Sequence, residues 1–279
     1  MGYRKFNGKK IKGTVNKSGI APKLEYGGSY VRNVKKTYIG FSGAGRKMYS
    51  YTIGNGSNHL VITMAIHGWE DNWSRDGSCL VKTGEKLITY ASKHTSTLKS
   101  NNYSIIIVPM ANPDGLYDGT TCNGPGRCTT YRYNNSGKLV KGGVDLNSCF
   151  PIGFKAEYSS RYYTGAKPLM AREAVVLKKW LDSSKGSGKN VFIDAHGWYN
   201  QMITRKGDRG KLFQAFSKYF SGTRPAVLGG GDISRYAAAQ GYEAALFEFP
   251  YVNSASQFDS RGYADSYIDS IFRIISTIR

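Results

Sequence analysis

Histidine is scarce in this chain, with four in 279 residues. Long apolar runs are absent. None approaches the roughly 20 residues of a membrane-spanning helix, and the opening "MGYRKFNGKK" has no apolar core of a secretion leader. It begins Met-Gly, but Phe6 stands where a myristoylation signal wants Ser or Thr. Cysteine occurs only at 79, 122, 128 and 149, with no C-x-x-C pair, which argues against a Cys-type zinc site. Cys122 and Cys128 bracket "CNGPGRC" and would close a local disulfide in an oxidising compartment; free thiols are equally allowed. Acidic charge is also short: 19 Asp and Glu against 39 Lys and Arg give a net charge of +20. Such a field attracts polyanions. The basic residues are scattered, without a zinc finger, recognition helix or aromatic nucleic-acid signature, so no nucleic-acid partner is expected. An anionic wall polymer or membrane surface remains, beside a basic surface with no dedicated partner.

What is present is a globular composition, 40% apolar and 13% aromatic, in a chain long enough for a large core. No internal repeat is visible. Residues 1–35 are basic and Gly/Lys-rich, and read as an arm or linker, with 36–279 as one folded domain. "MYSYTIG" alternates like a strand and stops at the turn "NGSN". "HLVITMAI", "YSIIIV", "KNVFIDAH" and "YEAALFEF" are apolar runs expected of strands buried on both faces. Helical patterns occupy Gly77 to Leu98, "LMAREAVVLKKWL", "GKLFQAFSKYF" and "YADSYIDSIFRIISTI". The segment from 115 to about 168 reads as a long loop. This order predicts an α/β fold: a central mixed, mostly parallel twisted sheet with helices on both faces. Ligands of such sheets bind outside the carboxyl ends of the strands.

The strand ends hold the chemistry. His67 and Glu70 follow the first buried strand in "HGWE", a spacing that suits a turn at a helix start. Asp194 and His196 close the third, and Glu248 lies between Phe247 and Phe249 in the fourth. Two histidines and a glutamate with an open fourth position form a catalytic zinc set. Each motif alone is weak, because a single strand-end histidine is more often a hydrogen-bonded structural residue. Glu248, if buried without a partner, would have the raised pKa of a general acid or base; paired with a basic residue it would be structural.

The ordered blocks resemble the zinc metallocarboxypeptidases, the carboxypeptidase A-like peptidases, from about Thr37 to the C-terminus. "YIGFSGAGRKMYSYTIG", "HGWE", "VPMANPDG", "GGVDLNSCFP", "YTGAKPLMAREAVVLKKWL", "FIDAH" and "LFEFP" carry the resemblance. It implies one Zn2+ held by His67, Glu70 and His196. It implies Glu248 as the general base and Asp145 as the acid that orients a zinc histidine. Asn147 would bind substrate, and an arginine would polarise the scissile carbonyl, Arg132 being preferred over Arg127. The departures concern substrate. Ser148 stands where carboxypeptidases place the arginine that clamps a C-terminal carboxylate, and a hydroxyl does not replace a bidentate guanidinium. Trp69 stands where an arginine often precedes the zinc glutamate. Arg235, in "DISRY", is a candidate relocated carboxylate partner, or a solvated helix residue. These departures resemble bacterial members that cut the γ-D-glutamyl–diamino acid bond of peptidoglycan stem peptides. A secreted or wall-associated, monomeric hydrolase is therefore expected. The alternatives are a conventional carboxypeptidase and a non-enzymatic wall-binding protein on the same fold.

Overall fold

The computed structural model describes residues 3–6, 9–12, 33–119, 127–159 and 161–278. In chain order the elements are strands β1 (Tyr3–Phe6), β2 (Lys9–Lys12), β3 (Val34–Phe41), β4 (Lys47–Gly54) and β5 (Asn58–Met64), then helices α1 (Gly77–Lys93) and α2 (Thr95–Ser100). Next come β6 (Tyr103–Val108), α3 (Pro113–Asp118), β7 (Tyr131–Tyr133), β8 (Leu139–Lys141), a 3-10 turn at Leu146–Ser148 and α4 (Arg172–Ser183). The chain closes with β9 (Asn190–Gly197), β10 (Gln201–Thr204), α5 (Lys211–Ser217), β11 (Arg224–Val227), α6 (Ile233–Ala239), β12 (Glu243–Phe249), α7 (Ala255–Ser260) and α8 (Tyr263–Thr277).

Eight strands form one mixed sheet in the order β11-β10-β12-β9-β5-β6-β4-β3. The four central strands, β12-β9-β5-β6, run parallel. The apolar runs are continuous because both sheet faces are covered. On β5, Leu60, Ile62 and Met64 join the layer built by α1, α5 and α8, while Val61 joins the opposite layer under α4 and α6. The two-residue period of a strand makes this division. The expected α/β fold is the one found.

The differences are local. Val34 and Lys35, inside the expected arm, pair with Ile53 and Thr52 at the sheet edge. β1 and β2 pair antiparallel; residues 13–32 of that arm lie outside the described residues. The helix expected from Gly77 to Leu98 breaks at His94 into α1 and α2. The segment read as a loop contains α3 and the β7–β8 hairpin. Asn112 caps α3, its Oδ1 accepting from Gly115 N at 2.8 Å, with Pro113 in the first turn. The three-residue strands of the hairpin are too short for a periodic signal. Cys79, Cys128 and Cys149 are buried and form no disulfide among the described residues; Cys122 lies outside the described residues, so the Cys122–Cys128 pairing does too. Among the described residues no helix is long and apolar enough to cross a membrane.

Two constraints carry the fold into the site. Phe247 and Phe249 pack against Phe216 (ring centroids 4.3 Å) and Phe258 (5.2 Å), and strand alternation turns the intervening Glu248 away from that aromatic layer. The turn after β5 is threaded so tightly that a Cβ on Gly68 would meet the backbone N of Leu116 at 2.0 Å. Gly68→Ala should therefore destabilise the fold by about 1–3 kcal/mol, read as a lower midpoint in thermal unfolding; an unchanged midpoint would mean that the α3 backbone yields freely.

Candidate active site

β5 and β9 lie side by side, with Met64 opposite Ala195, and β9 and β12 pair Glu248 with His196. Parallel pairing thus brings three carboxyl ends together. His67 sits three residues beyond β5, and its ring centroid lies 4.9 Å from that of His196. Ligating atoms of His67, Glu70 and His196 all lie within 4.8 Å of one another, and all three residues are buried.

Both imidazoles are oriented in the same way. His67 Nε2 is 3.1 Å from Asp145 Oδ1, and His196 Nε2 is 2.7 Å from Asp194 Oδ2. An ionised carboxylate only accepts, so each ring donates from Nε2 and its Nδ1 is left with a lone pair. Those Nδ1 atoms face Glu70: His67 at 3.2 Å from Oε2, His196 at 3.6 Å from Oε1. The aspartates are themselves fixed. Thr63 Oγ1 donates to Asp194 at 2.6 Å, while Asp145 accepts from Asn147 N at 3.1 Å and from Arg127 Nε at 3.3 Å. Burial works against the Asp145 carboxylate, but His67 and Arg127 outweigh it and hold its pKa well below the usual range.

Glu70 is placed through its own backbone. The stretch from His67 to Glu70 is a turn that ends well before α1, not the first turn of a helix. Asp76 holds it, accepting from Glu70 N (2.5 Å), Asn72 N (2.8 Å) and Trp198 Nε1 (2.9 Å). Burial raises the Asp76 pKa to about 6.

A cavity of about 370 Å3 opens over this cluster and is lined by His67, Glu70, Glu248 and Arg127 among others. Glu248 Oε2 is buried and has no hydrogen-bond partner among the described residues. Burial pushes the Glu248 carboxyl up to about 8, reinforced by Glu70 and opposed by His196.

Of the other expected site residues, Asn147 stays close, with Nδ2 3.4 Å from His196 Nε2. That nitrogen carries one hydrogen, committed to Asp194, so the amide contact is packing; Asn147 Oδ1 accepts from Ile233 N at 3.2 Å. Ser148 ends the 3-10 turn and does not line the cavity. Two assignments need correcting. Arg132 lies on β7, stacks over Tyr163 (5.0 Å) and donates to Gly142 O at 2.5 Å, away from the cavity. Arg127 is the arginine that reaches it. Arg235 donates to Leu228 O at 3.2 Å on α6 and does not line the cavity either. Arg161, in the irregular segment before Tyr162, lines the cavity and ion-pairs with Asp71. Trp69 is 2% exposed and donates to Leu116 O at 3.4 Å, so it packs under the site and does not face it. Asp194 carried a usable signal: in "DAH" it shares a strand face with His196.

Residues 26–258 match the peptidase family described as zinc carboxypeptidase. The chain belongs to this family. It is 36% identical over 250 residues to bacteriocin BCN5 of Clostridium perfringens, covering 88% of this chain and 26% of that protein. It is 27% identical over 178 residues to rat carboxypeptidase A2, covering 61% of this chain and 40% of that protein. The chain thus spans well under half the length of the curated relatives it matches. Among solved structures, thrombin-activatable fibrinolysis inhibitor shares the fold at TM-score 0.69 and 17% identity, over 90% of this chain and 70% of that one. A murein-tripeptide amidase from Escherichia coli O157 does so at TM-score 0.55 and 17% identity, over 85% of this chain and 91% of that one.

The family's cofactor is one zinc ion, and the donor set here fits it: two imidazole Nδ1 lone pairs, a carboxylate, and a fourth direction open to the cavity. Glu70 Oε1, buried without a hydrogen-bond partner among the described residues, supports the same reading. His196→Ala should abolish stoichiometric zinc in the purified protein. Asp194→Asn should lower zinc affinity by roughly 10–100-fold, measured by competition with a chromophoric chelator; retention of wild-type affinity in both would reject the site.

Proposed function

We propose that the chain is a zinc-dependent peptidase acting on peptidoglycan stem peptides, at the γ-D-glutamyl–diaminopimelate bond. The observation that carries the hydrolytic part is Glu248, whose buried Oε2 has no hydrogen-bond partner among the described residues and which lines the cavity of the His67–Glu70–His196 cluster. Zinc bound by these three residues would supply Lewis acidity, polarising a carbonyl and bringing the pKa of a water to about 7. Glu248 takes a proton from the attacking water and passes it to the leaving amine. Arg127 replaces Arg132 as the group that donates to the carbonyl oxygen as negative charge develops. Asp145 and Asp194 keep the imidazoles in the tautomer that leaves Nδ1 free.

The substrate class is supported by Ser148, which offers no clamp for a C-terminal carboxylate, and by the relative named a bacteriocin. That a solved structure sharing the fold is named a murein-tripeptide amidase lends support to a wall-peptide substrate. A charge of +20 suits a secreted or wall-associated protein working against an anionic polymer. A conventional carboxypeptidase is the second reading, favoured by two arginines, Arg127 and Arg161, in the cavity lining.

Mass spectrometry of digested muropeptides, with and without a zinc chelator, tests the proposal. Cleavage between D-glutamate and diaminopimelate, lost on chelation, is expected. Release of C-terminal residues from blocked dipeptides with muropeptides left intact would establish the second reading. Glu248→Gln should lower kcat by roughly 10²–10⁴-fold with zinc retained. Arg127→Ala should cost roughly 10²–10³-fold, whereas Arg132→Ala should stay close to wild type.

A further inference from the structure

The cavity mouth carries an ion pair that the hydrolytic chemistry does not use. Asp71 follows Glu70 with φ 76° and lines the cavity. Its carboxylate pairs with the Arg161 guanidinium, and Arg127 Nη1 stands 3.9 Å away. The Asp71 side chain is 9% exposed and that of Arg161 30%. Both residues line the cavity, beside Tyr162, whose ring lies 5.3 Å from the Arg161 guanidinium and whose hydroxyl accepts from Arg161 Nε at 3.0 Å. Arg161 is therefore braced beside Tyr162 while its guanidinium, paired with Asp71, lines the cavity.

We propose that the Asp71–Arg161 pair is a specificity element for a zwitterionic amino-acid head, a carboxylate and an ammonium on one carbon. The inference rests on the stem-peptide reading above and names the part of the substrate that the pair reads. A ligand carboxylate takes the guanidinium and the adjacent ammonium takes Asp71. A head that carries both charges exchanges for the pair at little net cost, because each protein group receives a ligand charge in place of the partner it gives up. A ligand with a carboxylate alone would strip Arg161 from Asp71 and leave a nearly buried carboxylate short of a cation, which is costly. A ligand with an ammonium alone would do the reverse to Arg161. Only the head that carries both charges satisfies both residues. The free end of diaminopimelate is such a head. Lysine in the same position supplies the ammonium only, and a C-terminal carboxylate of an ordinary peptide supplies the anion only. The other cationic candidates do not compete: Arg132 and Arg235 stand outside the cavity, and Arg127 is tied to Asp145.

The test is selectivity between two muropeptides, L-Ala-γ-D-Glu-meso-diaminopimelate and its L-lysine counterpart. The wild-type zinc protein should prefer the diaminopimelate peptide in kcat/KM by roughly 10–100-fold, the range expected for one charge-assisted hydrogen-bonded contact. Arg161→Ala should bring that ratio close to one, mainly through KM. Asp71→Asn should weaken both peptides. Arg161→Lys keeps the charge without the fork, and an intermediate ratio is expected. Zinc content and the thermal midpoint of each variant show whether the site is still folded. Titration of the inactive Glu248→Gln protein with the intact diaminopimelate tripeptide gives a readout independent of turnover; adding Arg161→Ala should weaken that binding by a similar factor. A wild-type protein that cleaves both peptides equally, or an Arg161→Ala protein that is folded, zinc-loaded and still selective, overturns this inference while leaving the peptidase reading standing. A wild-type protein that cleaves neither peptide sinks both.

Discussion

The site depends on two aspartate–histidine hydrogen bonds. Asp145 and Asp194 take the Nε2 protons of His67 and His196, and this alone turns both Nδ1 lone pairs towards Glu70. Each aspartate reaches the site by a different route. Asp194 lies on β9 two residues before its histidine, held by Thr63 across the β5–β9 ladder. Asp145 caps a 3-10 turn some 78 positions along the chain from His67 and is held there by Arg127. Removing either would leave an imidazole free to rotate or to change tautomer, and the cluster would lose its common focus.

Charge is distributed around this focus with little slack. Burial opposes the ionisation of Glu70, but when no metal is bound the charged forms of His67 and His196 outweigh it and carry its pKa down to about 2; the lone-pair tautomer is the one in which both rings would bind a metal beside the ionised Glu70. Glu248, half-buried on β12, has no hydrogen-bond partner for its buried Oε2 among the described residues, and its pKa moves the other way. Two glutamates that line one cavity are thus given opposite properties by their neighbours, which is the pattern expected when one holds a metal and the other moves protons. The sheet makes the division: parallel pairing sets Glu248 beside His196, and the aromatic layer under Phe247 and Phe249 keeps its side chain from turning away.

Much of the fold was legible because buried strands and amphipathic helices write themselves as local periodicity. The four central strands, α4, α5 and α8 read directly. β7, β8, β10 and β11 did not, since three or four residues are too few to show a period and their pairing is decided by distant segments. Among site residues, the histidines and glutamates were readable at strand ends. The arginines were not: Arg127, Arg132 and Arg161 all lie in irregular sequence, and long flexible side chains there declare neither direction nor partner.

The sequence by itself determined the layered α/β architecture and the residues of the metal cluster, because short-range pattern fixes strand ends and strand ends gather in a parallel sheet. Tertiary structure alone decided which cations line the cavity. Arg132 is drawn to the Gly142 carbonyl and Arg235 to that of Leu228, while Arg161 is held over the cavity by Asp71 and Tyr162. Those choices rest on contacts between segments far apart in the chain, and no local pattern encodes them.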